Sequence, residues 1–163
     1  MKQNIYIGID PGKTGAMAVI FGEVRFEVYD FEDQNALLLL RDLYIDPLGV
    51  YRIRAVIEKV NARPGQGVVS MFSFGSNYGQ WIGRIEFCGF PYSLVTPQKW
   101  RKEVFDSEKS KRGLDKKAIS LEQARRLFPS MSSELKRKKD HGRAEALLIA
   151  EYCRRMDYLN NDK

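Results

Sequence analysis

The chain opens with a short alternating apolar run over residues 4–9, which stops at the turn-forming string Asp10-Pro11-Gly12-Lys13-Thr14-Gly15; a second apolar run follows over 16–21. Period-two runs on either side of a Pro/Gly turn predict a β-hairpin. Gly22-Glu23 supplies the next turn, and 24–31 reads as a third strand with Val24, Phe26 and Val28 on one side and Arg25 and Glu27 on the other. Asp33 stands where an N-cap belongs, ahead of a helix that carries Leu37, Leu38, Leu40, Arg41 and Tyr44 and is closed by Asp46-Pro47.

Beyond that crossover, 53–60 is a nearly continuous β-branched run, the pattern of a parallel strand covered on both faces, and Glu58 interrupts it. A polar loop at 61–67 leads into a segment predicted as helical to about residue 87. In it Gly75, Gly79 and Gly83 recur at every fourth position, which implies a face packed closely on a neighbour. Residues 92–95 read as a fifth strand, Thr96-Pro97 opens a short helix around Trp100, and helices over 116–128 and 140–158 are separated by a break at 129–133. The order β-β-β-α-β-α-β-α-α predicts one α/β domain over 1–163. Its sheet is mixed and five-stranded, the first three strands antiparallel, with helices on both faces.

Two acids break the apolar pattern. Asp10 and Glu58 each end a central strand, where open α/β sheets keep their sites. Asp140 and Glu145 lie at the start of the last helix in KKDHGRAEALLIA, Asp140 as a cap and Glu145 facing inward about one turn later. Asp10 also suits a plain Asp-Pro-Gly turn, and Asp140 a plain N-cap. Glu58 is harder to explain so, because a carboxylate in a buried strand is costly without a partner, and its neighbour Lys59 points to the opposite face. Glu145 sits within an apolar stretch and reads as functional. His141 is the sole histidine, beside Asp140 and one turn before Glu145, and is a secondary candidate as metal ligand or proton donor.

Gathering such acids in one cleft sets each close pair against the other by up to about 4 kcal/mol at an effective dielectric near 20. Divalent cations remove that repulsion. An oxygen donor set of Asp10, Glu58, Asp140 and Glu145 suits Mg²⁺ or Mn²⁺, and two such ions can activate water on one side of a phosphodiester and stabilise the leaving oxygen on the other.

Charge is informative once located. Residues 99–139 hold 14 Lys/Arg against 6 Asp/Glu, whereas 1–98 and 140–163 are each nearly balanced, within a net charge of +6. A regional excess of this kind attracts a polyanion, although a solvated helix face is the plainer reading. Cys88 and Cys153 are too far apart in sequence for a close metal-binding pair and read as reduced, buried thiols. No run approaches the about 18 apolar residues of a membrane span, so a soluble, cytoplasmic protein is expected.

Together IGIDPGKTGA, VIEKV and DHGRAEALLIA resemble the RuvC-type Holliday junction resolvases, in the branch that includes phage and poxviral members, over most of the chain. The resemblance implies a ribonuclease H-like fold, a homodimer, and metal-dependent cutting of symmetric strands at four-way DNA junctions. Asp10 and Glu58 match the first two acids of that family, and Glu145 matches the last. The remaining ligand position falls on Gly142, which leaves Asp140 or His141 to take over, with Asp140 favoured. Lys116 or Lys117 would approach the scissile phosphate, with Lys116 a catalytic candidate. DNA contacts are expected from Lys13 and Arg63 in loops, from Lys109, Lys111, Arg112, Lys116 and Lys117, and from the run Lys136, Arg137, Lys138 and Lys139. The loop after Glu58, where the family presents a wedging aromatic, begins Asn61-Ala62-Arg63 and departs from that pattern. Phe72, Phe74, Tyr78 and Trp81 stand at helical spacing and read as core or dimer contacts, with the Gly75, Gly79 and Gly83 face as the candidate interface.

Two other classes compete. Actin-like and sugar-kinase phosphotransferases also begin with a strand, an Asp and a Gly/Thr-rich turn, but they need a second domain for which 163 residues leave no room. A catalytically inactive branched-DNA binder would explain the basic region and not the acids.

Overall fold

The strands are β1 (Gln3–Asp10), β2 (Ala16–Phe21), β3 (Arg25–Asp30), β4 (Tyr51–Glu58) and β5 (Tyr92–Val95), and they form one sheet in the order β3-β2-β1-β4-β5. The computed structural model describes residues 2–59, 61, 65, 67–105 and 115–161. β1 to β3 are antiparallel, and β4 lies parallel to both β1 and β5. Val24 falls in the turn before β3 and is exposed, because the hairpin spends it on reversing direction; Phe26 and Val28 keep their inward places.

Alternation along β1 sends Ile5, Ile7 and Ile9 to one face of the sheet and Tyr6 to the other. The first face is covered by α1 (Gln34–Ile45) and α2 (Val68–Phe87), which contribute Ala36, Leu40, Leu43, Trp81 and Ile85. The second is covered by α3 (Pro97–Val104), α4 (Lys116–Leu127) and α5 (His141–Asn161). The short helix around Trp100 is thus a full two-turn element, capped by the Thr96 hydroxyl accepting from the Lys99 N–H. Two 3-10 segments, Pro129–Leu135 and Lys138–Asp140, bridge α4 to α5.

The contact between α5 and β1 is backbone on backbone. A Cβ placed on Gly8 would lie 2.2 Å from the Ala150 nitrogen and 2.3 Å from the Ala146 oxygen. Only glycine admits that approach, and Ala146 and Ala150 provide the matching small face of the helix.

On α2 the glycine face is open within the chain. A Cβ at Gly75, Gly79 or Gly83 would meet nothing within 4 Å, so the glycine stripe packs against no other part of the described chain. The side of α2 that meets the sheet carries Trp81 and Ile85, with half-buried Tyr78 packed against the same core; Phe74 is half-buried and Phe72 is exposed. Both cysteines are free, and burial pushes the Cys153 thiol up to about 12. Among the described residues no helix is long and apolar enough to cross a membrane.

Candidate active site

The register that pairs Ile9 with Ile57 brings Asp10 and Glu58 to the next rung, at the matching ends of parallel β1 and β4. Since Ile9 and Ile57 both face α1 and α2, alternation turns Asp10 and Glu58 towards α5. Glu145, in the second turn of α5, completes a three-acid cleft.

Asp10 is buried, and its carboxyl is pushed up to about 8. Desolvation is the largest cause, followed by the negative fields of Glu145 and Glu58; the Gly12 N–H and Arg101 act in the opposite direction. The Gly12 N–H donates to Asp10 Oδ1 at 3.0 Å, which fixes the carboxyl against its own turn. Gly15 closes that turn against the Asp10 carbonyl, where a Cβ would come within 2.0 Å.

Three side chains that the sequence reading did not single out hold the other two acids. The Trp100 indole N–H donates to Glu58 Oε2 at 2.6 Å. Arg101 forms an ion pair with Glu145 Oε1, and the Ser120 hydroxyl lies 3.0 Å from the same oxygen. The Arg101 guanidinium lies 4.6 Å from the Trp100 ring centre and 5.5 Å from that of Phe105, so its faces contact aromatic carbon. The signal available for Trp100 was the i, i+4 pairing with Val104, which marks the buried face of α3. No comparable pattern marks Arg101 or Ser120.

Asp140 lies apart from this cleft. It ends the 3-10 segment, where its carboxylate accepts from the Arg137 backbone N–H at 2.8 Å and from the Arg137 guanidinium at 2.9 Å. Those bonds hold its carboxyl below the ordinary value despite burial. Its surroundings are Asp30, Arg143 and Lys13 rather than Asp10 and Glu58. His141 begins α5 one turn before Glu145, with Nε2 at 3.3 Å from Thr14 Oγ1 and Nδ1 at 3.2 Å from the Lys138 carbonyl. Gly142 accounts for the departure at the third motif: a Cβ there would stand 1.8 Å from the Thr14 carbonyl oxygen, so no side chain fits.

Lys116 opens α4 one turn ahead of Ser120, whose hydroxyl lies between the Lys116 carbonyl and Glu145 Oε1, 3.0 Å from each. Lys13, Lys117, Lys136 and Lys139 are exposed; Arg137 is committed to Asp140, and Lys138 pairs with Asp115 at 2.9 Å. Arg63, Lys109, Lys111 and Arg112 lie outside the described residues.

As a donor set for a divalent cation, the three acids are right in kind. They are oxygen-only, and the Asp10 carboxyl is raised first by its burial and then by the negative fields of Glu145 and Glu58. Among the described residues no three acid, histidine or cysteine side chains are drawn together at ligating distance. Arg101 and Ser120 on Glu145, and Trp100 on Glu58, account for where those two carboxylates point.

A mixed sheet of this order, with three antiparallel strands leading, the acids at the ends of β1 and β4 and the last helix across them, is the ribonuclease H-like fold. Within it, the chain is similar in structure to RuvC of Thermus thermophilus. Against the protein solved in complex with a Holliday junction substrate, the TM-score is 0.51 at 16% identity, covering 93% of this chain and 95% of that one. A second Thermus thermophilus RuvC structure gives 0.51 at 17% identity, covering 94% and 96%. In sequence the chain is 34% identical over 90 residues to the chloroplastic Holliday junction resolvase MOC1 of Chlamydomonas reinhardtii; the match takes in 55% of this chain and 10% of that relative's length. No protein-family model matches the chain.

Proposed function

We propose that this chain is a structure-selective DNA endonuclease that resolves Holliday junctions and other branched DNA by metal-dependent hydrolysis of phosphodiester bonds. The observation that carries the reading is the convergence of Asp10, Glu58 and Glu145 in one cleft, with Asp10 holding its proton far above the ordinary carboxylate range. The RuvC-like fold and the similarity to a Holliday junction resolvase point to the same substrate.

Asp10, Glu58 and Glu145 would hold Mg²⁺ or Mn²⁺, two ions in the full site, which when bound supply charge neutralisation at the phosphate and an activated water. Trp100 orients the Glu58 carboxylate in the manner of outer-shell groups at metal sites. For the remaining position, His141 has the better support: it shares a helix face with Glu145 and touches the turn after Asp10, whereas the Asp140 carboxylate is taken up by Arg137. Lys116, at the head of α4, is suited to a phosphate beside Glu145, and Lys13, Lys117, Lys136 and Lys139 to the flanking backbone. The open glycine stripe of α2, with Val68, Val69 and Phe72 exposed at its start, supports a homodimer that presents two cleft copies to the junction. The relationship to phage and poxviral members rests on the motif resemblance alone.

The test is to incubate the protein with labelled four-way junction, linear duplex or ATP in Mg²⁺, Mn²⁺ or EDTA. Paired, metal-dependent nicks in the junction are expected, and Asp10→Asn should bind the junction without cutting it. ATP turnover, binding without cleavage by the unmodified protein, or an active Asp10→Asn would each overturn the reading.

A further inference from the structure

We propose that Arg101 is a built-in counter-cation that divalent metal must displace from Glu145, so that this one side chain sets the metal affinity of the cleft. The inference rests on the metal-dependent reading above and adds a residue that competes for one of its ligands.

Arg101 occupies a position that a surface ion pair would not. Its side chain is 24% exposed and that of Glu145 is 15% exposed, so both charges are largely removed from water. The guanidinium contacts the Trp100 and Phe105 rings while its edge meets Glu145 Oε1, which limits the directions in which it can move. Its charge also reaches Asp10, where it opposes the fields of the two glutamates. Without a cation from solution, the cleft therefore has an internal positive charge that offsets part of the repulsion among its acids. A divalent ion at Glu145 would meet the same oxygen and the same field, and two cations at that range repel each other. Loading the site requires the guanidinium to withdraw from Glu145. The Ser120 hydroxyl remains on that oxygen to hold the carboxylate in place. The Trp100 ring backs the guanidinium, while its N–H donates to Glu58, a role compatible with a bound metal.

The experiment measures Mn²⁺ binding by isothermal titration calorimetry on the full chain, independently of DNA. Arg101→Gln should bind Mn²⁺ on the order of three- to tenfold more tightly than the unmodified protein. Arg101→Lys, which keeps the charge but not the planar edge between two rings, should fall between them. In the unmodified protein, Mg²⁺ should change the tryptophan emission as the guanidinium leaves the indole, and Trp100→Phe should abolish that change while Trp81 remains. The emission readout needs no Arg101 variant to fold. Equal or weaker Mn²⁺ binding by Arg101→Gln, or an emission unmoved by saturating Mg²⁺, overturns the proposal and leaves the nuclease reading intact. Absence of Mn²⁺ binding in the unmodified protein overturns both.

Discussion

The indole N–H of Trp100 reaches across from α3 to Glu58 Oε2 at 2.6 Å, joining a fully buried aromatic side chain to an acid at the end of a central strand. The helix that covers the sheet thereby also aims a carboxylate, and core packing and site geometry share one residue. Trp100→Phe keeps most of the apolar volume and removes the donor. Junction cleavage is expected to fall about tenfold or more, in line with other outer-shell groups at metal sites, for a stability loss of about 1–3 kcal/mol. Unchanged cleavage would show that Glu58 needs no such guide.

Asp140 and His141 should separate cleanly. Asp140→Asn weakens the Arg137 contacts and the 3-10 cap, so it should cost about 1–2 kcal/mol of stability and leave turnover within about threefold. His141→Ala should lower turnover by on the order of tenfold or more. Single-turnover cleavage and urea melts of both variants make the comparison. Loss of cleavage in Asp140→Asn beside a fully active His141→Ala would move Asp140 into the site.

The Asp10 carboxyl gives a pH signature. Its pKa rises on folding from 3.8 to about 8. A carboxyl shifted in that direction favours the folded state most strongly below its unfolded value, and the advantage is lost as pH climbs through the folded value. In EDTA the stability should therefore decline between about pH 4 and about pH 8, by on the order of 1–3 kcal/mol. Mg²⁺ should oppose the decline, because it binds the ionised cleft. Denaturant melts at pH 5 and pH 8, with and without metal, test this, and Asp10→Asn should flatten the profile. If the variant follows the same profile as the unmodified protein, the decline has another source.

Gly8→Ala should be costly for a residue with no chemical role. The added methyl meets two backbone atoms of α5, which cannot rotate aside, so helix and strand must part. A loss of about 2–4 kcal/mol is expected, together with a large fall in cleavage as Glu145 moves away from Asp10. A stable and active variant would mean that α5 tolerates a wider seat than the backbone contact implies.

Much of this architecture was legible because it is written in periodicity. Alternation located β1 and β2, the apolar continuity of β4 marked a strand covered on both faces, and Asp33 caps α1 through the Asn35 N–H as its position suggested. Asp10 and Glu58 stood out because each is an acid in a strand that otherwise has no use for one. What escaped were relationships across elements. Arg101 and Ser120 meet Glu145 from two other helices, and no spacing within α3 or α4 encodes that meeting. Asp140 suits both a cap and a ligand in sequence, and its contacts with Arg137, three residues earlier in a charge-rich run, are not encoded in that spacing. The glycines of α2 are a different case: a four-residue spacing suggests close packing, but it cannot say whether the neighbour belongs to the same chain.

The Thr14 carbonyl seated over Gly142 has a consequence for anyone who would redesign this cleft. Grafting an aspartate at that helix position, the obvious swap from the family pattern, would drive the hairpin turn off the helix before the new acid could reach a cation. Side chains already stand on either side of it on the same helix, His141 against Thr14 and Glu145 against Arg101. The backbone of the turn after β1 thus closes position 142 to any side chain, at the one helix position where sequence comparison would first try a new acid.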